Sequence, residues 1–154
     1  MIFGSSAPKI ELYNMAGTLI IYFNMVQPNL RNENPYFEEF EFEENFDGDL
    51  IQTKQYFRFR QSLVFVNLGV EQVDYLIRTA NWKEKIYFVP HRTDGYIGEW
   101  VKVTRFVIQS HEGLINYTDA EIEFTGIKRR TTIPRHPDYI YTVHFGSTQR
   151  SAII

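Results

Sequence analysis

The chain contains no cysteine in its 154 residues. That excludes a disulfide framework, a thiolate metal centre and a cysteine nucleophile. It also has no apolar run near the roughly 20 residues that a membrane-crossing helix needs. Its first residues, MIFGSSAPKIELYN, show no basic leader followed by an apolar segment. These absences predict a soluble product made in the cytoplasm, with no membrane partner. Catalytic spacings are missing too: no GxSxG, Walker loop or GxGxxG occurs. His91, His111, His136 and His144 stand singly, without the HxH or HxxxH spacing that brings imidazoles onto one metal. The expectation is a protein that is not an enzyme and holds no cofactor or metal.

What the chain has in quantity is Phe and Tyr, 13 and 10 residues, which favour strands and adhesive β surfaces. The stretch from Tyr56 to Pro90 organises the rest. Phe57, Phe59, Leu63 and Phe65 share one parity of the run YFRFRQSLVFVNL, hence one face of a strand. Val70, Val73, Ile77 and Ala80, with Leu76 beside them, recur at the three- and four-residue spacing of an amphipathic helix. The strand KIYFVP follows. A lone helix among strands must lay its apolar stripe on a sheet.

Upstream, KIELYN and TLIIYF read as strands joined at Met15-Ala16-Gly17. Residues 24–36, with Pro28 and Pro35 and no apolar periodicity, read as a long loop. FEEFEFEE alternates as a strand with one buried face and one acidic, wet face. Asp47-Gly48 then reverses the chain into LIQTK. Downstream, Asp94-Gly95 marks a turn. WVKVTRFVIQS is predicted to place Val101, Val103 and Val107 on one side, and a loop centred on Gly113 follows. YTDAEIEFTGI is predicted to turn Ala120, Ile122 and Phe124 inward. YIYTVHF is a last strand before a polar tail. By length the whole of residues 1–154 is one domain. The elements predict a mainly β fold: a two-sheet antiparallel sandwich or a partly closed barrel, flanked by one helix at about residues 70–81.

Charge is unevenly spread. Residues 1–53 carry nine acids and two bases; residues 54–154 carry ten acids and fourteen bases. The acidic run from Glu38 to Asp49 spreads its carboxylates along a strand and does not match a calcium-loop spacing. It reads as a solvated or partner-facing edge, with Glu38, Glu41 and Glu43 as contact candidates. Lys128, Arg129 and Arg130, with Arg135, form the basic cluster. The chain is acidic overall and lacks an aromatic single-strand-binding phrase. The cluster is therefore read as a patch that meets an acidic neighbour, not nucleic acid.

The order of phrases FDGDL, YFRFRQSLVFVNLGVEQVDYLIRTA, IYFVP, WVKVTRFVI and YTDAEIEFTGI resembles the tail-tube-like domains of tailed bacteriophages, shared by tube, distal-tail and baseplate proteins. The resemblance covers roughly residues 10–127 and leaves 128–154 as a C-terminal extension. It implies a virion protein that assembles head to tail into a ring, commonly a hexamer, through which DNA passes, beside adjacent tail or baseplate proteins. It makes Val70, Val73, Leu76 and Ile77 the helix face on the sheet. It also makes the loop 24–36, with Asn24, Gln27, Asn29, Arg31, Asn34 and Tyr36, an arm toward a neighbouring subunit. The acidic run is then expected at the lumen or at a subunit contact. The competing expectation is a carbohydrate- or receptor-binding β-sandwich using Trp82, Trp100 and the tyrosines as stacking surfaces.

Overall fold

A computed structural model describes residues 7–32, 34–92, 97–112, 117–133, 140–145 and 148–153. The predicted Asp94-Gly95 turn, the loop centre at Gly113, Arg135 and His136 lie outside the described residues. Apolar alternation and short turns produce ten strands and one helix among the described residues. The first strands are β1 (Lys9–Tyr13), β2 (Leu19–Asn24), β3 (Leu30–Arg31) and β4 (Tyr36–Glu44). After them come β5 (Leu50–Leu68), α1 (Val70–Ala80), β6 (Lys85–Val89), β7 (Glu99–His111) and β8 (Tyr117–Arg130). β9 (Ile140–Phe145) and β10 (Thr148–Ile153) pair as a separate antiparallel hairpin. The tail predicted to be only polar is therefore strand β10 in part.

The first eight strands make one antiparallel sheet in the order β2-β1-β6-β7-β8-β5-β3, with β4 also on β5. The sheet curls into a half-barrel, so the partly closed barrel is realised and not a pair of stacked sheets. The ring contacts show the curl directly. Phe88 of β6 stacks on Phe124 of β8 at 4.4 Å between ring centroids. It also reaches Phe59 of β5 at 6.0 Å, although two strands separate β6 from β5. Ile10, Leu12, Phe65, Leu63, Ile122 and Leu76 complete a core closed to solvent.

The open side is crossed by residues 24–32. Met25 is buried and donates its N–H to the Pro8 carbonyl (2.9 Å). Gln72 of α1 accepts from Val26 N at 2.8 Å and donates to the Asn24 carbonyl at 3.3 Å. At the far end, Asn29 N donates to the Val64 carbonyl (2.8 Å), and β3 pairs with β5 at Leu30↔Val64. The predicted loop is thus a strap joining the two ends of the strand order. Its polar residues satisfy this chain's own backbone.

Two apolar faces differ from expectation. In α1, Leu76 and Thr79 are buried and Val73 is partly buried, whereas Val70 is 87% and Ile77 39% exposed. The packing stripe is therefore Val73, Tyr75, Leu76 and Thr79. Thr79 tolerates burial because its hydroxyl donates to the Tyr75 carbonyl at 2.8 Å. Val70 is the first helical residue and overhangs the sheet. In β7, a register shift between Val103 and Arg105 inserts one residue and reverses parity. Phe106 and Ile108 turn toward the core while Val107 points to solvent. On β8, which has no inserted residue between Ala120 and Phe124, Ala120, Ile122 and Phe124 are all buried as predicted.

Candidate functional site

The feature that the core does not absorb is the far end of the β4–β5 hairpin. Pairing of β5 with β8 runs only as far as Phe57↔Arg130, while β4 and β5 stay paired out to Glu44↔Leu50. Beyond Phe57 the structure is therefore a bare two-stranded ribbon, a unit that is marginal in water by itself. Its sequence explains its shape. Alternating Phe and Glu with Thr, Gln and Lys opposite supports extension, and the tip Asn45–Asp49 is a closed turn. Asn45 Oδ1 accepts from Asp47 N at 3.0 Å and Asp49 N at 2.9 Å, and Gly48 takes a φ of +84° that favours glycine.

The ribbon has two unlike faces. Tyr36 and Phe59 oppose each other in the core. The same face continues outward through the cross-strand pairs Glu38↔Phe57, Phe40↔Gln55, Phe42↔Gln52 and Glu44↔Leu50. Phe40 and Phe42 sit side by side with ring centroids 6.3 Å apart, and they and Leu50 are 44%, 54% and 72% exposed. The expected buried face of this strand is thus exposed, with nothing over it among the described residues. At the tip Phe46 stands fully exposed.

The opposite face is acidic and partly neutralised at its root. Arg58 pairs with Glu39 at 2.6 Å, and Arg129 pairs with Glu41 at 2.5 Å while lying over the Tyr56 ring. Deeper in, Glu99 is buried and holds Arg130 (Nε to Oε2 2.8 Å, Nη2 donating to Oε1 at 2.9 Å). The Tyr36 hydroxyl donates to the same carboxylate at 2.6 Å. The Glu99 hydrogen bond raises the Arg130 pKa further, so this cation is permanent. The acidic run and the basic cluster, expected to face different molecules, thus meet inside one chain at Glu41–Arg129. Uncompensated charge remains on both faces: Glu38 at the root and Glu44 near the tip share the Phe40–Phe42 face, and these two, with Glu43, Asp47 and Asp49, are exposed and make no ion pair among the described residues.

The other expected contact residues fall into two groups. Asn24, Asn29, Arg31, Asn34 and Tyr36 work within the chain. Arg31 donates to the Pro90 carbonyl at 2.7 Å, Asn29 Oδ1 accepts from Val66 N at 2.9 Å, and Asn34 Oδ1 accepts from Tyr36 N at 3.3 Å. Gln27 and Lys128 are exposed on the surface. The projecting element is therefore the hairpin, not the 24–36 loop. A sequence cue existed: an aromatic residue, Phe46, in a turn otherwise built from Asn, Asp and Gly.

Both tryptophans are half-buried. Trp82 Nε1 donates to the Tyr13 carbonyl at 2.9 Å. Trp100 lies edge-on between Tyr13 and Tyr87, at 5.0 and 4.9 Å. Beside it the Tyr13 hydroxyl donates to Glu11 at 2.5 Å, which together with partial burial pushes its pKa up to about 12. Tyr87 is raised mainly by burial. Among the described residues no three His, Asp or Glu side chains converge as a metal site would need, and no helix is long and apolar enough to cross a membrane. No protein-family model matches the chain, and a search of curated proteins finds no match.

Proposed function

We propose that this chain is a structural subunit of a bacteriophage tail, in the tube, distal-tail or baseplate region, which assembles with copies of itself into a ring around a DNA passage. The observation that carries the reading is the ribbon of residues 39–56. It projects beyond the sheet with Phe40, Phe42, Phe46, Leu50 and Ile51 exposed. Burying one such side chain contributes about 1.5–3 kcal/mol, so several together favour association strongly. The order of sequence phrases supplies the tail-tube resemblance, and a half-barrel with one flanking helix is compatible with it. The strap and the root ion pairs keep the base of the arm rigid, which lowers the entropic cost of docking it. The acids along the outer arm would keep a DNA strand from adhering where they line the passage. The test is negative-stain microscopy of the purified chain at micromolar concentration. Closed rings or stacked rings support the reading, and uniformly single particles contradict it.

The second reading, a carbohydrate-binding module, draws on the Tyr13, Tyr87 and Trp100 cluster on the outer face with Glu11 beside it. Glycan binding that is lost in Trp100→Ala, with the fold retained, would favour it over the first.

A further inference from the structure

The arm ends in a knob, and its root carries a cleft of matching character. The cleft holds about 240 Å³ and lies where β5 passes from β4 to β3, walled by Leu30, Phe37, Val64, Ser62, Arg60 and Glu123. Leu30 is 68% and Phe37 44% exposed, so apolar surface faces the opening. Asn32 holds the floor rigid, accepting from Ser62 N at 2.9 Å and donating to the Arg60 carbonyl at 3.0 Å, which replaces the strand rung missing there. Arg60 lies over the Phe37 ring at 5.6 Å and makes no ion pair among the described residues. The one acid in the wall, Glu123, is engaged by the Thr104 hydroxyl at 2.7 Å and the Ser62 hydroxyl at 3.3 Å. The knob is Phe46, held out by the Asn45-braced turn and flanked by Asp47 and Asp49.

We infer that Phe46 at the arm tip of one copy seats in the Leu30–Phe37–Val64 cleft of the next, with Asp47 or Asp49 meeting Arg60. The inference rests on the self-assembly reading above and names the contact that drives it. The occupant is not the chain's own tip. Phe37 and Glu44 are seven residues apart on one extended strand, about 24 Å, and while β4 and β5 stay paired out to Glu44↔Leu50 the tip cannot reach back to the root. A second copy supplies the knob at matching stoichiometry, with acid on the knob and an unpaired cation in the cleft. Such a contact is heterologous: every copy offers one knob and one cleft, so the chain of contacts either closes into a ring or runs on.

The test uses sedimentation of full-length variants whose folding is checked by circular dichroism. Phe46→Ser removes the knob, and Val64→Arg blocks the cleft. Because the Phe46 side chain is fully exposed in its own chain, its removal leaves the fold intact. Each variant alone is expected to need about tenfold or more higher concentration to associate. Mixed together they should stop at a two-chain species, since one intact knob and one intact cleft remain. Arg60→Glu should weaken association, and adding Asp47→Lys with Asp49→Lys should restore part of it. Wild-type association that is unchanged in Phe46→Ser overturns the inference and leaves the assembly reading standing. A wild-type chain that stays single at concentrations on the order of 100 µM overturns both.

Discussion

Strand β5 (Leu50–Leu68) lives in two environments. From Phe57 onward it lies between β8 and the β4–β3 side, and Phe59, Gln61, Leu63 and Phe65 are buried in strict alternation. From Leu50 to Gln55 it has only β4 beside it, and every residue is exposed. Composition does not separate the two halves, because both carry large apolar side chains. The difference is what lies over them: a curled sheet and strap in one case, solvent in the other. The body half of β5 thus buries one face in the core, while the arm half keeps its apolar side chains exposed.

Paired substitutions probe that contrast. Phe88→Ala removes the ring that bridges Phe59 and Phe124 and should cost about 3–5 kcal/mol. Phe42→Ala on the arm should leave folding stability within about 0.5 kcal/mol. Denaturant unfolding of the two variants measures both. On the helix, Leu76→Ala should cost about 2–5 kcal/mol and Val70→Ala less than about 0.5 kcal/mol, a ranking that an equal stripe of valine and leucine would not produce. Glu99→Ala removes the carboxylate that accepts from the Tyr36 hydroxyl and pairs with Arg130, and so loosens the arm's root. A loss of about 1–3 kcal/mol is expected, with faster amide exchange across Tyr36–Phe59. The smallest effect is on Tyr13. Its folded pKa of about 12 exceeds the ordinary 10.0, so its contribution is fully present below pH 10.0 and is lost as pH rises toward about 12. Ultraviolet titration should show one late-ionising phenol disappear in Tyr13→Phe.

Much of the body was legible in the sequence because its rules are local. Ala120, Ile122 and Phe124 follow strand parity, the helix ends at Ala80, and Asp47-Gly48 turns the chain where a hairpin signal predicts it. The failures are non-local. An inserted residue near Thr104 reversed β7, so Val107 faces solvent although it keeps step with Val101. The loop 24–36 has loop composition, yet only the curl of the sheet makes it a strap. Alternation around Phe40 and Phe42 told which residues share a face but not whether anything covers it. Glu41 and Arg129 are 88 residues apart, and nothing local announces that they meet.

The claim that the arm's apolar face is satisfied by sister chains is tested most directly by sedimentation velocity of the wild type and of Phe40→Ser/Phe42→Ser across micromolar concentrations. The account predicts a wild-type assembly many times the 18.3 kDa of one chain and a folded, single-chain variant. A wild type that sediments as one chain throughout, or a variant that assembles as well as the wild type, would contradict it.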